Sequence, residues 1–433
     1  MDNLIDSHYL QLPSQGNIYL SARLQKADGS NRIIVGCLRR KVFVVEYRCN
    51  EEFLEPITTE VYFAYISNGA EITSIDVFNR SKTMDDFVIG IVIMRNTETG
   101  TSAHLNLYCE YDLEPDVELS LETIGQHCES LMLDYIPYGL HHTQISPHQV
   151  NGSYENLWLL PGSDNKIHAY RGRYHDRNFV EISVGDFFVE FEDVPAIVMC
   201  IKVLYYNNYH HRISSLGCEN GQVRCAIVEC KSNHILRSLS TEYENPISSV
   251  QLFTLKMPEI PVDDIEQYIQ NDDLTFLEKN PEVNLLVTNT LFHSEVFMDV
   301  LKYDFKNRHC LHESTLYDAC LCSVIADVDF DGNKEIILGT YGEELLLFKY
   351  VDNETWKMIG QKSIPNPVHK LYYVDLTEDG VSELITVTAK GLHVYQLKSF
   401  QHKLKDVHKL ISSRIEKLDK ERLEELILKE NWS

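Results

Sequence analysis

The chain has 433 residues, 44% of them hydrophobic and 24% charged, which allows one large domain or two to three ordinary ones and excludes an extensively disordered chain. Its 39 lysines and arginines face 65 aspartates and glutamates, a formal charge of −26 that repels nucleic acid and anionic lipid wherever basic residues do not cluster. No apolar run approaches the ~18–20 residues of a membrane span, and the opening MDNLIDSHYL, with two acids and no apolar centre, is unlike a secretory signal.

Repetition dominates the chain. NRIIVGCLRRKVFVVEY (31–47) runs through a polar start, an apolar stretch, a Gly, a polar turn, a second apolar stretch and a Tyr. Looser versions follow at 85–111 and at 155–171, ENLWLLPGSDNKIHAYR. HRISSLGCENGQVRCAIVE (211–229) keeps the plan, VNLLVTNTLFHSEVFMDV (283–300) is the least regular copy, and KEIILGTYGEELLLFKY (334–350) matches the first without a gap. VSELITVTAKGLHVYQL (381–397) ends the series. Each unit reads as a β-hairpin, two β-branched-rich runs around a Gly/Asn/Asp turn. Seven such hairpins begin near residues 32, 87, 156, 212, 283, 335 and 383. A four-stranded propeller blade takes about 40–50 residues, so each period holds one blade with loop to spare.

Flanking strands complete the blades. EITSIDVF (71–78), IVMCIKVLYY (197–206), ISSVQLFTL (247–255), CLCSVIADV (320–328) and VHKLYYVDL (368–376) precede hairpins as first strands. EVYFAYI (60–66) and SLMLDYIPY (130–138) fit as fourth strands. The last hairpin has no fourth strand after it, and residues 9–12 are placed to supply one and close the ring. The expected fold is all-β: a seven-bladed propeller over residues 1–397, with six blades as the rival count. Two acidic segments, GDFFVEFEDVP (185–195) and residues 258–282, read as surface insertions. Residues 398–433 form a second region. Leu404, Val407, Ile411, Ile415, Leu418, Leu423 and Leu426 recur at helical spacing without Gly or Pro, which predicts an amphipathic helix. It opens on a basic stretch whose Lys403, Lys405 and Lys409 are candidate contacts for an acidic filament or partner, against the plainer reading of a solvated helix face.

The sharpest local motif is Asp327-Val-Asp329-Phe-Asp331-Gly332, followed by Glu335. Alternating carboxylates ahead of a turn glycine suit a structural Ca²⁺ ion; the alternative is that the same oxygens accept backbone N–H bonds and brace the turn. The loop is no EF-hand, because the twelfth position is Leu338. It resembles the calcium loop of FG-GAP propeller blades. Asp375, Thr377, Asp379, Gly380 and Glu383 form a degenerate copy with a lower ligand charge. The eleven cysteines are scattered and read as free thiols of a reducing compartment. Cys320 and Cys322, with His309, Cys310 and His312 upstream, offer metal-ligand types, but no CxxC pair completes a zinc site and a strand places both thiols on one core face. His141-His142 and His210-His211 have no partnering carboxylate motif, and no phosphate loop, GxGxxG or GxSxG occurs. No catalytic residue and no cofactor other than that calcium ion is therefore expected.

Several segments together resemble the kaptin family: SQGNIYL (14–20), AEITSIDVFNRS (70–81), HLNLYCEYDLEP (104–115), RISSLGCENGQVR (212–224), NPISSVQLF (245–253) and, most specifically, CLCSVIADVDFDGNKEIILGTYGEELLLFKY (320–350). The resemblance implies a non-enzymatic scaffold of KICSTOR, a complex at the lysosome that recruits GATOR complexes and restrains mTOR signalling when amino acids or glucose are scarce. It implies a second FG-GAP propeller and a very large subunit, SZT, as partners. It implies a cytoplasmic chain held at the lysosomal membrane through its complex, and, as an alternative role, association with actin filaments.

Overall fold

The computed structural model describes residues 4–50, 53–81, 83–98, 100–110, 120–173, 177–256, 281–351 and 354–397. Seven four-stranded antiparallel sheets follow one another, and all seven hairpins read from the sequence are present. Within each sheet the strands pair in chain order; only the last sheet breaks the rule. There Val368–Val374, Glu383–Thr388 and Gly391–Leu397 take their fourth strand from Leu4–Gln11, with Tyr9 opposite His393. The ring is thus closed by joining the two ends of the chain, and the rival count of six falls away. The closing strand begins earlier than the expected 9–12 because Leu4 is buried in the layer between the sixth and seventh blades.

The core is a set of layers between neighbouring blades. Leu24, Ile34 and Val44 of the first blade meet Ile75, Phe87 and Ile91 of the second, and equivalent layers recur around the ring as far as the seventh blade against the first. Middle strands are buried on both faces, so Asn284–Asn289 and Glu335–Thr340 carry no exposed residue and lose the period-two pattern. Fourth strands face solvent on one side. His234–Glu242 accordingly alternates residue by residue between half-buried and exposed.

In the units 211–229 and 334–350 the glycine of the first apolar run does not make the turn. Gly217 and Gly339 lie within second strands, where the first strand of the next blade approaches. A Cβ on Gly339 would sit 2.5 Å from Val368 Cγ1, and one on Gly90 2.5 Å from Leu140 Cδ2. Two fourth strands are also shifted from expectation. They run Phe53–Val61 and Cys128–Leu133, earlier than 60–66 and 130–138. Pro56 argues against a strand in sequence, yet an outermost strand tolerates it.

The acidic segment 185–195 is not a surface insertion. It folds as two short turns of 3₁₀ helix that bury Phe188 and Phe191. Glu190, its side chain 1% exposed, accepts two hydrogen bonds from the fully buried Arg212 at 2.7 Å each. Ser214 donates to the same carboxylate at 2.6 Å, and the guanidinium lies 4.5 Å from the Phe188 ring. The segment 258–282 lies, up to residue 280, outside the described residues, as do the predicted helix 398–433 and its Lys403, Lys405 and Lys409.

Candidate functional site

Two places collect functional side chains: the acidic loops of the last two blades and the channel along the ring axis. The first loop links the first and second strands of the sixth blade, Cys320–Ala326 and Glu335–Thr340. Gly332, at φ +90°, supplies the left-handed turn. Asp327 accepts the Asp331 and Gly332 N–H groups at 3.2 and 2.9 Å, and Asp331 accepts that of Asn333 at 2.8 Å. Glu335 is fully buried and accepts the Val328 N–H at 2.9 Å. The carboxylates therefore brace the turn.

Asp327, Asp329 and Glu335 each present an oxygen within 4.8 Å of the others, a donor set of the kind a hard cation takes. Lys349, on the third strand of the blade, reaches into the same place. Its ammonium lies 2.7 Å from Asp331 and 2.9 Å from Glu335 and also pairs with Asp329. Burial opposes the charge on Lys349, but its hydrogen bonds to the three carboxylates outweigh that and raise its pKa. Calcium would have to expel this ammonium, so the loop as folded already holds a cation of its own. Sequence reading passed over Lys349 because it stands in the strand ELLLFKYV, far from the motif; its one signal is a lysine at an inward position of an apolar run.

In the seventh blade Glu383 repeats the brace, accepting the Leu376 N–H at 2.9 Å and the Thr377 hydroxyl at 2.7 Å. Gly380 again takes a positive φ, +84°, and donates to Asp375 at 2.8 Å. Asp375, Asp379 and Glu383 also converge within 4.8 Å.

The first strands line the axis. Five of them carry a β-bulge at the same rung, at Ile72/Ser74, Val198/Cys200, Ile247/Ser249, Cys320/Cys322 and Val368/Lys370. A bulge re-aims the extra residue, and Met199, Ser248, Leu321 and His369 at these bulges line the channel. The same irregularity separates Cys320 from Cys322: the first packs between the fifth and sixth blades and the second between the sixth and seventh, not on one face as the strand period implied.

The channel comprises two cavities of about 450 and 390 Å³ that share Tyr19, Asp76, His141, His142, Lys202 and Lys370. His142 does have a carboxylate partner, Asp76 at 2.8 Å, contributed by the neighbouring blade. Burial, helped by Lys370 and Lys202 and opposed by Asp76, holds His141 down at about 4. Burial likewise pushes the Cys200 and Cys322 thiols up to about 12 and raises the Tyr19 and Tyr372 hydroxyls. These groups rest neutral at physiological pH, in the protonation state of packing residues rather than of an activated thiolate.

The family model described as KICSTOR complex protein kaptin matches residues 4–412. A mouse (Mus musculus) protein described as KICSTOR complex protein kaptin is 32% identical over 416 residues, covering 95% of this chain and 91% of the mouse protein. The chain belongs to the kaptin family. Among solved structures, BBS1N in complex with ARL6DN aligns over 91% of this chain and 97% of its own at 10% identity and a TM-score of 0.51. The β-propeller domain of Cps50 (Swd1) from Myceliophteria thermophila aligns over 91% and 99%, again at 10% identity, with a TM-score of 0.50. At that identity the likeness speaks for the propeller fold, and it is the family match that gives this kaptin-family ring its biological setting. No helix among the described residues is long and apolar enough to cross a membrane.

Proposed function

We propose that this chain is a non-catalytic scaffold subunit of KICSTOR that helps bring GATOR complexes to the lysosome and so restrains mTOR signalling when nutrients are scarce. The observation that carries this reading is the family match across nearly the whole chain. The fold supports it physically. A closed ring has no free sheet edge and presents its loops as rigidly held contact points.

One face is suited to that task. Turns between second and third strands and loops from one blade to the next emerge on the same side of the ring, because every sheet is antiparallel in chain order. That side carries Tyr62, Tyr65, Leu291, Leu316 and Tyr341, between 56 and 72% exposed. Large side chains left in water on loops are the material of protein interfaces. The partner for this face is the second FG-GAP propeller of the complex.

A tagged pull-down from the protein's own cells, read by mass spectrometry, tests the reading. Near-stoichiometric recovery of the second propeller and the very large subunit is expected, with loss of the propeller partner from a Tyr65→Ser, Tyr341→Ser chain. Recovery of actin and its regulators alone would replace the scaffold reading with the cytoskeletal one.

A further inference from the structure

The fifth blade has the least regular hairpin and the shortest outer strands. Ser294–Phe297 and Arg308–Leu311 have four residues each, and between them Glu295 stands directly opposite Cys310. His293 immediately precedes the third strand and His312 opens the short 3₁₀ turn that follows the fourth, so the two imidazoles flank the Glu295–Cys310 pair. The side chains do meet. A nitrogen of His293, the Cys310 sulfur and a Glu295 oxygen lie within 4.8 Å of one another. His293 Nε2 is 3.4 Å and Cys310 Sγ 3.6 Å from the same oxygen, Glu295 Oε1, and the His293 and His312 rings are 5.3 Å apart.

Glu295 is 1% exposed, and a carboxylate so buried needs a positive partner. In the structure Arg308 serves, bonding to Oε1, while the Tyr243 hydroxyl donates to Oε2 at 2.7 Å. The Arg308 side chain is 51% exposed, and a metal at this site requires it to give up Glu295 and turn toward water. With it turned away, Oε1 faces a nitrogen and a sulfur ligand, and Oε2 remains oriented by Tyr243 as outer-shell partners orient metal-bound carboxylates.

We propose that His293, Glu295 and Cys310 form three ligands of a structural zinc site that clamps the third strand of the fifth blade to the fourth, the nearby His312 ring turning in as the fourth. Sulfur, imidazole and carboxylate are the ligands zinc takes in tetrahedral sites, at roughly 2.0–2.3 Å from the metal. Such bonds set neighbouring donor atoms about 3.3–3.8 Å apart, a contraction within reach of side-chain rotation from the spacing observed. Zinc replaces the Cys310 thiol proton, which leaves to solvent, and the two positive charges of the ion are balanced by thiolate and carboxylate. Arg308 is then released from charge compensation. The site draws on residues at both outer strands of the fifth blade, where a four-residue ladder leaves the most to be gained from a cross-link.

The test uses the whole chain, purified without chelator, with zinc content measured by mass spectrometry and ligand type by cobalt substitution. The expected result is one metal per chain and, with Co²⁺, the ligand-field bands of a tetrahedral site together with a thiolate charge-transfer band. Cys310→Ser removes the charge-transfer band, and His293→Ala weakens metal binding by at least about 100-fold. His309→Ala, whose ring lies on the other face of the strand, leaves both signals intact. A wild-type chain that holds neither metal, or that binds cobalt without a thiolate band, overturns the proposal. The wild-type spectrum decides even where a variant fails to fold.

Discussion

Lys349 shows how one side chain changes the meaning of a motif. The acidic loop of the sixth blade has the carboxylates and the turn glycine of a calcium loop, yet an ammonium from the third strand sits among Asp329, Asp331 and Glu335. Removing that charge leaves a buried glutamate beside two aspartates without the ammonium that offsets their repulsion. Lys349→Met is therefore expected to lower the melting temperature in calcium-free buffer. Millimolar calcium should then restore the variant while leaving the parent chain nearly unchanged. Equal stabilisation of both chains by calcium would show that the ion binds beside the lysine instead of competing with it. The second loop has no counterpart of Lys349 in its described contacts, and Glu383 relies on Thr377 and the Leu376 N–H. Burial raises the Glu383 pKa and those two donors hold it back.

At the scale of elements, the segment 185–195 has the composition of a solvated loop and the packing of a core plug. Phe188 and Phe191 join the layer between the third and fourth blades, and Glu190 is carried inside with them. The cost of burying that charge is met by Arg212, bound through two nitrogens and held also by Asn233 at 2.9 Å. Such a pair adds little over an apolar substitute, but half of it is far worse than none. Arg212→Met alone should cost about 3–5 kcal/mol in urea unfolding. The double change Arg212→Met, Glu190→Leu should recover most of the loss. A double variant as unstable as the single one would show that shape at this site, not unpaired charge, sets the cost.

For the whole molecule, stability rests on a closed ring whose closure depends on eight residues at one end of the chain. Leu4–Gln11 pairs with Gly391–Leu397, and the joint is fastened by His393 to Asp6 at 2.9 Å and His8 to Tyr47 at 2.8 Å. Removing residues 1–11 would leave the strand Gly391–Leu397 as an open edge facing solvent. The shortened chain is expected to melt at lower temperature and to elute as higher-order species in size-exclusion chromatography with light scattering. A monodisperse product with the parent's melting temperature would show that six blades and three strands suffice.

The sequence by itself pointed to seven blades, with six as the rival count, and to a closing strand from the start of the chain, because apolar runs and Gly/Asn/Asp turns are local signals that repeat with the blade; the structure settled the count and moved the closing strand to Leu4–Gln11. The sequence also determined that Asp327 and Glu335 share a loop, since turn chemistry needs only a few neighbouring residues. Tertiary structure alone decided what those residues meet. It brought Lys349 to the acidic loop, Glu190 to Arg212, His142 to Asp76 and Cys310 to Glu295, across separations from 15 to 66 residues. It also turned the repeat glycine into a point of contact between blades and split Cys320 from Cys322 by a bulge. Hydrophobic periodicity tells which face of a strand is buried and carries no record of which side chain lies across the gap. That identity is fixed only when strands pair and blades pack, and it is where the chemistry of this protein is decided.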